Sequence, residues 1–140
     1  MKLLLALTAV VLSTCASAAL ASVSAPPYLG TWTARMSLDQ MYDKGLDPHL
    51  AGAFRLVLRP NGTYTSFNSF DGASNGRFTA SGKRIVVFDD KGCKTAGLDG
   101  KALYTWSIAG GRLRLLTVKV GGDPCGGRWQ TLTYPVWKRI

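Results

Sequence analysis

The side chains in this chain that could do chemistry are few: one histidine, His49, eight aspartates with no glutamate, and the cysteines Cys15, Cys93 and Cys125. His49 is the side chain whose ordinary pKa lies nearest neutrality. It lies in a Pro-flanked loop, and no motif places a partner residue beside it, so a surface histidine is the expectation rather than a general base. No Gly-x-Ser-x-Gly elbow is present to raise a nucleophilic serine. Asp89-Asp90 and Asp123 could attract calcium, but the ligand spacing of an EF-hand loop is missing, and strand-end aspartates commonly face water. One histidine and two widely separated cysteines do not make a zinc site, and no Cys-x-x-Cys occurs. Asn61-Gly62-Thr63 fits an N-glycosylation acceptor, and the same three residues are explained by a turn. These patterns point away from an enzyme and imply neither cofactor nor metal.

The elements that would position these residues begin after an export signal. Met1 and Lys2 form a positive n-region, Leu3 to Leu12 an apolar run, and Ala16-Ser17-Ala18 a small-x-small cleavage site. Residues 1–18 are therefore read as a cleaved signal peptide, 19–27 as a short disordered lead and 28–140 as one domain. The apolar run is too short to span a bilayer. Leu12-Ser13-Thr14-Cys15 also resembles a lipobox, which would make Cys15 a lipidated first residue of an outer-membrane lipoprotein. The expected location is secreted or periplasmic.

With Cys15 in the signal, Cys93 and Cys125 are the two cysteines left, and in an oxidising compartment they can form one intramolecular disulfide. Closing that loop should stabilise the domain by about 3 to 4 kcal/mol. Of the 17 basic residues only Lys2 is lost with the signal, so the mature chain stays strongly basic against its eight aspartates. Such a balance favours encounters with an anionic surface or polymer. The cations are dispersed, with Lys83-Arg84 and Lys138-Arg139 the adjacent pairs, and no stacked aromatic platform suggests a specific nucleic-acid site. A monomer without a transmembrane segment is expected.

Period-two segments alternate with turn chemistry along the domain. Strands are expected over Thr31–Met36, Ala53–Arg59, Thr63–Asn68, Arg77–Ala80, Arg84–Asp89, Lys101–Ile108, Arg112–Lys119 and Arg128–Tyr134, the last continuing through Val136-Trp137-Lys138 to close on the first. Turns fall at Pro60-Asn61-Gly62, Ser81-Gly82-Lys83 and Ala109-Gly110-Gly111, and the Gly- and Ser-rich stretch Asp71–Gly76 reads as a loop. The one helical signal follows the first strand. Ser37 and Gln40 form a capping box, Leu38, Met41 and Tyr42 fall at helical spacing, and Gly45 and Pro48 end the segment. Eight sequential strands with short turns favour an all-β, eight-stranded antiparallel up-and-down barrel, with one short helix as a lid. Two packed sheets would give the same alternation.

Gly30-Thr31-Trp32, the hairpin Pro60–Thr65, Tyr104-Thr105-Trp106, paired Cys93 and Cys125, Arg128 and Trp137 together resemble the small secreted lipocalin-like proteins of bacteria, within the calycin group. The resemblance covers residues 28–140, although the middle Thr-Asp-Tyr signature of the main lipocalins is missing, and avidin-like barrels are a further relative. It implies that Trp32 plugs the closed end of the barrel and that Arg128 packs across its indole, with Arg139 as the other candidate.

An eight-stranded barrel is either just filled by side chains or holds one small ligand. Tyr104 and Trp106 share one face by parity, as do Phe54 and Leu56, and as do Tyr64, Ser66 and Asn68. Phe54, Leu56, Tyr64, Ser66, Tyr104 and Trp106 are therefore the candidate ligand-binding residues for a small apolar or amphipathic molecule, beside their alternative role as core. That reading requires a cavity. The competing reading is a non-catalytic interaction or inhibitor module that acts through its basic exterior on an anionic or protein partner, and it requires a filled interior.

Overall fold

A computed structural model describes residues 24–98, 100–119 and 122–140; the expected signal segment and Cys15 lie outside them. Eight strands form a closed barrel in sequence order: β1 (Gly30–Met36), β2 (Gly52–Leu58), β3 (Thr63–Asn68), β4 (Gly72–Ser81), β5 (Arg84–Phe88), β6 (Ala102–Ala109), β7 (Arg112–Thr117) and β8 (Trp137–Arg139). Every neighbouring pair is antiparallel, including β8 with β1. At one end lie the tight turns, where Gly62, Gly82, Gly110 and Gly111 take positive φ. The helical segments occupy connections at the other end: α1 (Leu38–Asp43), a 3-10 turn at Pro48–Leu50, α2 (Lys91–Thr95) and α3 (Gly126–Thr133).

The lid helix α1 starts as its sequence dictates. Ser37 N–H donates to Gln40 Oε1 at 2.8 Å, and Gln40 N–H donates to Ser37 Oγ at 3.2 Å. This reciprocal cap satisfies main-chain donors that the first turn leaves open. Met41 is the residue α1 buries.

The strands bury alternate side chains. Trp32, Leu56, Tyr104, Leu113 and Trp137 are all fully inaccessible, which is the pattern of a pleated sheet closed around one core. Trp32 plugs the turn end: its indole N–H donates to Tyr28 O at 2.9 Å, and the Arg139 guanidinium lies 4.5 Å from the ring centroid. Arg139 therefore fills the role that the resemblance assigned first to Arg128. The register explains the exchange, because Arg139 lies directly across from Trp32 on β8, whereas Arg128 is held at the far end by Asp123.

Three further expectations change. The Gly- and Ser-rich stretch is strand rather than loop, because Gly76 lies opposite Tyr64. A Cβ at Gly76 would fall 2.6 Å from the Tyr64 ring, so the missing side chain is what lets the phenol lie flat across β4. Residues expected as the eighth strand instead form α3. Its Arg128, Thr131 and Leu132 are buried at helical spacing, i, i+3 and i+4. Its β-prone Trp129, Thr131 and Thr133 suggested a strand, and packing against the barrel overrides that preference. Strand β8 is consequently only Trp137–Arg139. The segment between β5 and β6 contains the short α2, capped by Asp90.

Candidate functional site

Of the six lumen candidates, Leu56, Tyr64 and Tyr104 border the space left inside the barrel. Phe54, Leu56, Tyr64, Ser66, Tyr104 and Trp106 are all buried inside the barrel. The space left among Leu56, Leu58, Tyr64, Ile85, Val87, Tyr104, Leu115 and Leu132 is about 10 Å³. That is room for about one water, whereas pockets for small organic ligands run to roughly 300–1,000 Å³. Trp106 lies toward the turn end, away from the lid. Its N–H donates to Gly82 O at 3.0 Å, Tyr28 meets it edge-on at 5.2 Å, and the Lys83 ammonium sits 4.0 Å above it. Asn68, which could have made a polar patch for a ligand, accepts instead from the N–H groups of Phe70 and Asp71 in the β3–β4 turn.

The tyrosines are fixed by two aspartates that the sequence places at strand ends. Asp90 and Asp123 are buried rather than solvated. Tyr64 O–H donates to Asp90 Oδ2 at 2.5 Å, and Tyr104 O–H donates to Asp123. Each carboxylate also accepts a cysteine main-chain N–H: Cys93 to Asp90 at 3.1 Å and Cys125 to Asp123 at 2.8 Å. The Cys93–Cys125 disulfide joins the two halves, with Cα atoms 5.7 Å apart. Arg128 completes the cluster. Its Nε and Nη2 donate to Asp123 at 2.8 and 2.6 Å, and Nη2 also donates to Gly100 O at 2.9 Å. Burial and the adjoining carboxylates push both phenols far above the usual tyrosine value. Burial opposes the charge on Arg128, but the hydrogen bonds and negative charge of Asp123 hold its pKa above normal. The cluster thus ties α2 and α3 across the barrel end, while Arg128 Nη1 is buried in it without a hydrogen-bond partner. The available signal was the repeated Asp-to-Cys spacing of two or three residues, which suits side-chain capping of a cysteine amide.

His49 is exposed, with Nδ1 3.0 Å from Asp47 Oδ1 and its ring tilted against Phe70 at 5.1 Å. Among the described residues no three His, Cys, Asp or Glu side chains gather where a metal ion could sit.

The larger opening lies outside the barrel and follows from the shortness of β8. This strand pairs with β1 at Trp32 and Thr33, and with β7 at Arg112 and Leu113. Beyond those positions β1 and β7 continue without a common neighbour, and a groove of about 630 Å³ opens between them. Arg35, Lys44, Arg112, Arg114 and Lys138 line it, together with Thr33, Gln40, Tyr134 and Val136. The lining contains five cations and no acid. Alternation puts Arg35 on the outer face of β1, Arg112 and Arg114 on that of β7 and Lys138 on that of β8, and all four are exposed along with Lys44. Register then aligns Arg55, Thr33, Lys138 and Arg112 in one row across β2, β1, β8 and β7. Lys138 directly opposite Arg112 is a like-charge pair, which costs up to about 1 kcal/mol in an antiparallel sheet. No ion pair among the described residues relieves any of the five. Sequence reasoning registered the basic excess but not this concentration, because the groove is set by where β8 begins.

No helix among the described residues is long and apolar enough to cross a membrane. No protein-family model, curated protein or solved structure matches the chain at significant similarity.

Proposed function

We propose that this chain is an exported, non-catalytic barrel of calycin type that binds an anionic partner through the groove between β1 and β7. The observation that carries this reading is the contrast between two spaces: about 10 Å³ inside the barrel against about 630 Å³ in the basic groove outside it. A small apolar ligand in the lumen would have to displace packed aromatic side chains, and protein cores resist such displacement. An anion in the groove would instead relieve the repulsion between Lys138 and Arg112. The disulfide supports an oxidising location, and the leader-like N-terminus supports export to it.

Thermal unfolding with two probes, dextran sulfate and the neutral amphiphile N-phenyl-1-naphthylamine, tests the reading. Dextran sulfate should raise Tm at low salt and lose that effect as ionic strength shortens the Debye length to about 8 Å. Its effect should also shrink in the Arg112→Ser/Arg114→Ser variant, while the neutral amphiphile leaves Tm unchanged. Stabilisation by the amphiphile alone would return the function to the lumen.

A further inference from the structure

The groove is cut into the wall of the barrel rather than laid upon it. Thr33, Ala34, Arg35 and Met36 are consecutive in β1, and all four line it. Successive strand residues face opposite sides of a sheet, so an opening bordered by both sets passes the outer face and reaches the inner one. Pro135 accounts for the gap. It is fully buried just ahead of β8 and has no N–H to give to a ladder, and pairing of the last strand starts only at Trp137. The floor reached there is apolar. Ala34 and Tyr134 are half-buried and packed against the core, Met36 belongs to the core itself, and the half-buried Val136 joins them in the lining. The aliphatic stems of the surrounding arginines and lysines extend that apolar surface up to their charged heads.

Resting on the anion-binding reading above, we propose that the groove takes a single-chain amphipathic anion, an alkyl chain ending in a carboxylate, sulfate or phosphate, as a free monomer. The head meets Arg35, Arg112, Arg114 and Lys138 on the outer side, and the chain lies on Ala34, Met36, Tyr134 and Val136. The two halves of the lining decide the class. A polysaccharide would answer the cations but leave the apolar floor in water, and a neutral apolar molecule would cover the floor but leave Lys138 facing Arg112 unrelieved. An anion with an alkyl chain answers both. The groove's volume of about 630 Å³ falls within the roughly 300–1,000 Å³ of small-molecule sites. Such a recess admits a free chain, whereas the surface of a bilayer would meet its rim alone.

The test is isothermal titration calorimetry of the intact oxidised protein at neutral pH and low salt, with butyrate, octanoate, dodecanoate and the neutral 1-octanol. Affinity should rise by about twofold per methylene, short of the roughly fourfold of complete burial because the groove is open on one side. Binding of dodecanoate should carry a negative heat-capacity change. Octanol should bind about tenfold more weakly than octanoate. On the protein side, Arg112→Ser/Arg114→Ser should weaken dodecanoate binding by about tenfold, and Arg77→Ser/Arg84→Ser on the opposite wall should not. Val136→Thr, which keeps the side-chain shape, should weaken dodecanoate by about threefold and leave the effect of dextran sulfate unchanged. Equal loss in the two double variants would mean binding to net charge alone and would overturn the proposal. So would tight dodecanoate binding that ignores Arg112 and Arg114, which would put the chain in the lumen. Binding to phosphatidylglycerol vesicles without binding to dodecanoate would move the partner to a membrane surface and overturn it as well. If affinity is indifferent to chain length while dextran sulfate still stabilises the wild type and not the groove variant, the anionic groove stands and its amphipathic ligand falls. If no probe acts, both fall.

Discussion

Raising the pH from 9 to 11 should destabilise this protein through two particular phenols. Tyr64 and Tyr104 are essentially inaccessible, and each donates to a buried carboxylate. Burial first, and the neighbouring Asp90 or Asp123 second, raise their native-state pKa values far above the ordinary 10.0. A group that keeps its proton in the native state and loses it in the unfolded state contributes stability that is complete below the unfolded pKa and declines above it. Between pH 9 and 11 the unfolded chain releases about one more proton per phenol than the native protein, at about 1.4 kcal/mol each, so the pair removes about 3 kcal/mol. Against the 5–15 kcal/mol typical of a small domain, that is a large share. Urea unfolding at pH 9, 10 and 11 would measure it, with Tyr64→Phe/Tyr104→Phe as the reference that lacks both protons. The wild type should lose about 3 kcal/mol more than the double variant over this range, whatever their difference at pH 9. Absorbance at 295 nm should report ionisation of these two rings only together with unfolding. Parallel loss in the two proteins would refute the assignment of the phenols to a dry, carboxylate-bound site.

Two other outcomes follow from the same geometry. Cys93→Ser opens a disulfide that spans 32 residues and should cost about 4 kcal/mol in oxidant by chemical unfolding, with little difference from wild type under reduction. Gly76→Ala places a methyl group 2.6 Å from the Tyr64 ring and should cost about 1 to 3 kcal/mol in a urea melt, with a near-ultraviolet circular dichroism change as the ring is displaced.

Local signals in the sequence were sufficient for much of the barrel. The hairpin at Asn61-Gly62, the glycine turns, the Ser37–Gln40 cap and the single cysteine pairing each rest on residues close in sequence or unique in type, and they are as expected. What local signals could not supply is what distant contacts decide. Trp129, Thr131 and Thr133 favour a strand by themselves, but Arg128, Thr131 and Leu132 are claimed by the barrel end and wind the segment into α3. Gly76 suggests a loop until Tyr64 is known to lie across it. Asp90 and Asp123 suggest solvated chain until their tyrosines and cysteines are placed. The inward alternation of Phe54, Leu56, Tyr64 and Tyr104 was legible, but whether their volumes would fill the lumen depends on the packing of all eight strands. The basic groove was the least legible feature, because it combines cations from three strands and the lid connection with the late start of β8 at Trp137.

The brevity of β8 also bears on how the barrel assembles. Seven of the eight strands can zip up in sequence order, each against the neighbour just made, with connections of two to 15 residues to close. The last step joins Trp32 and Thr33 to Arg139 and Lys138, across nearly the whole domain, and gains little ladder in return. Contacts of such sequence separation form late and set the pace of folding. The same junction, held by Trp32 stacking and two residue pairs, is where the native ring is expected to part first, so the amides of β8 should exchange with solvent ahead of those in β2 through β6.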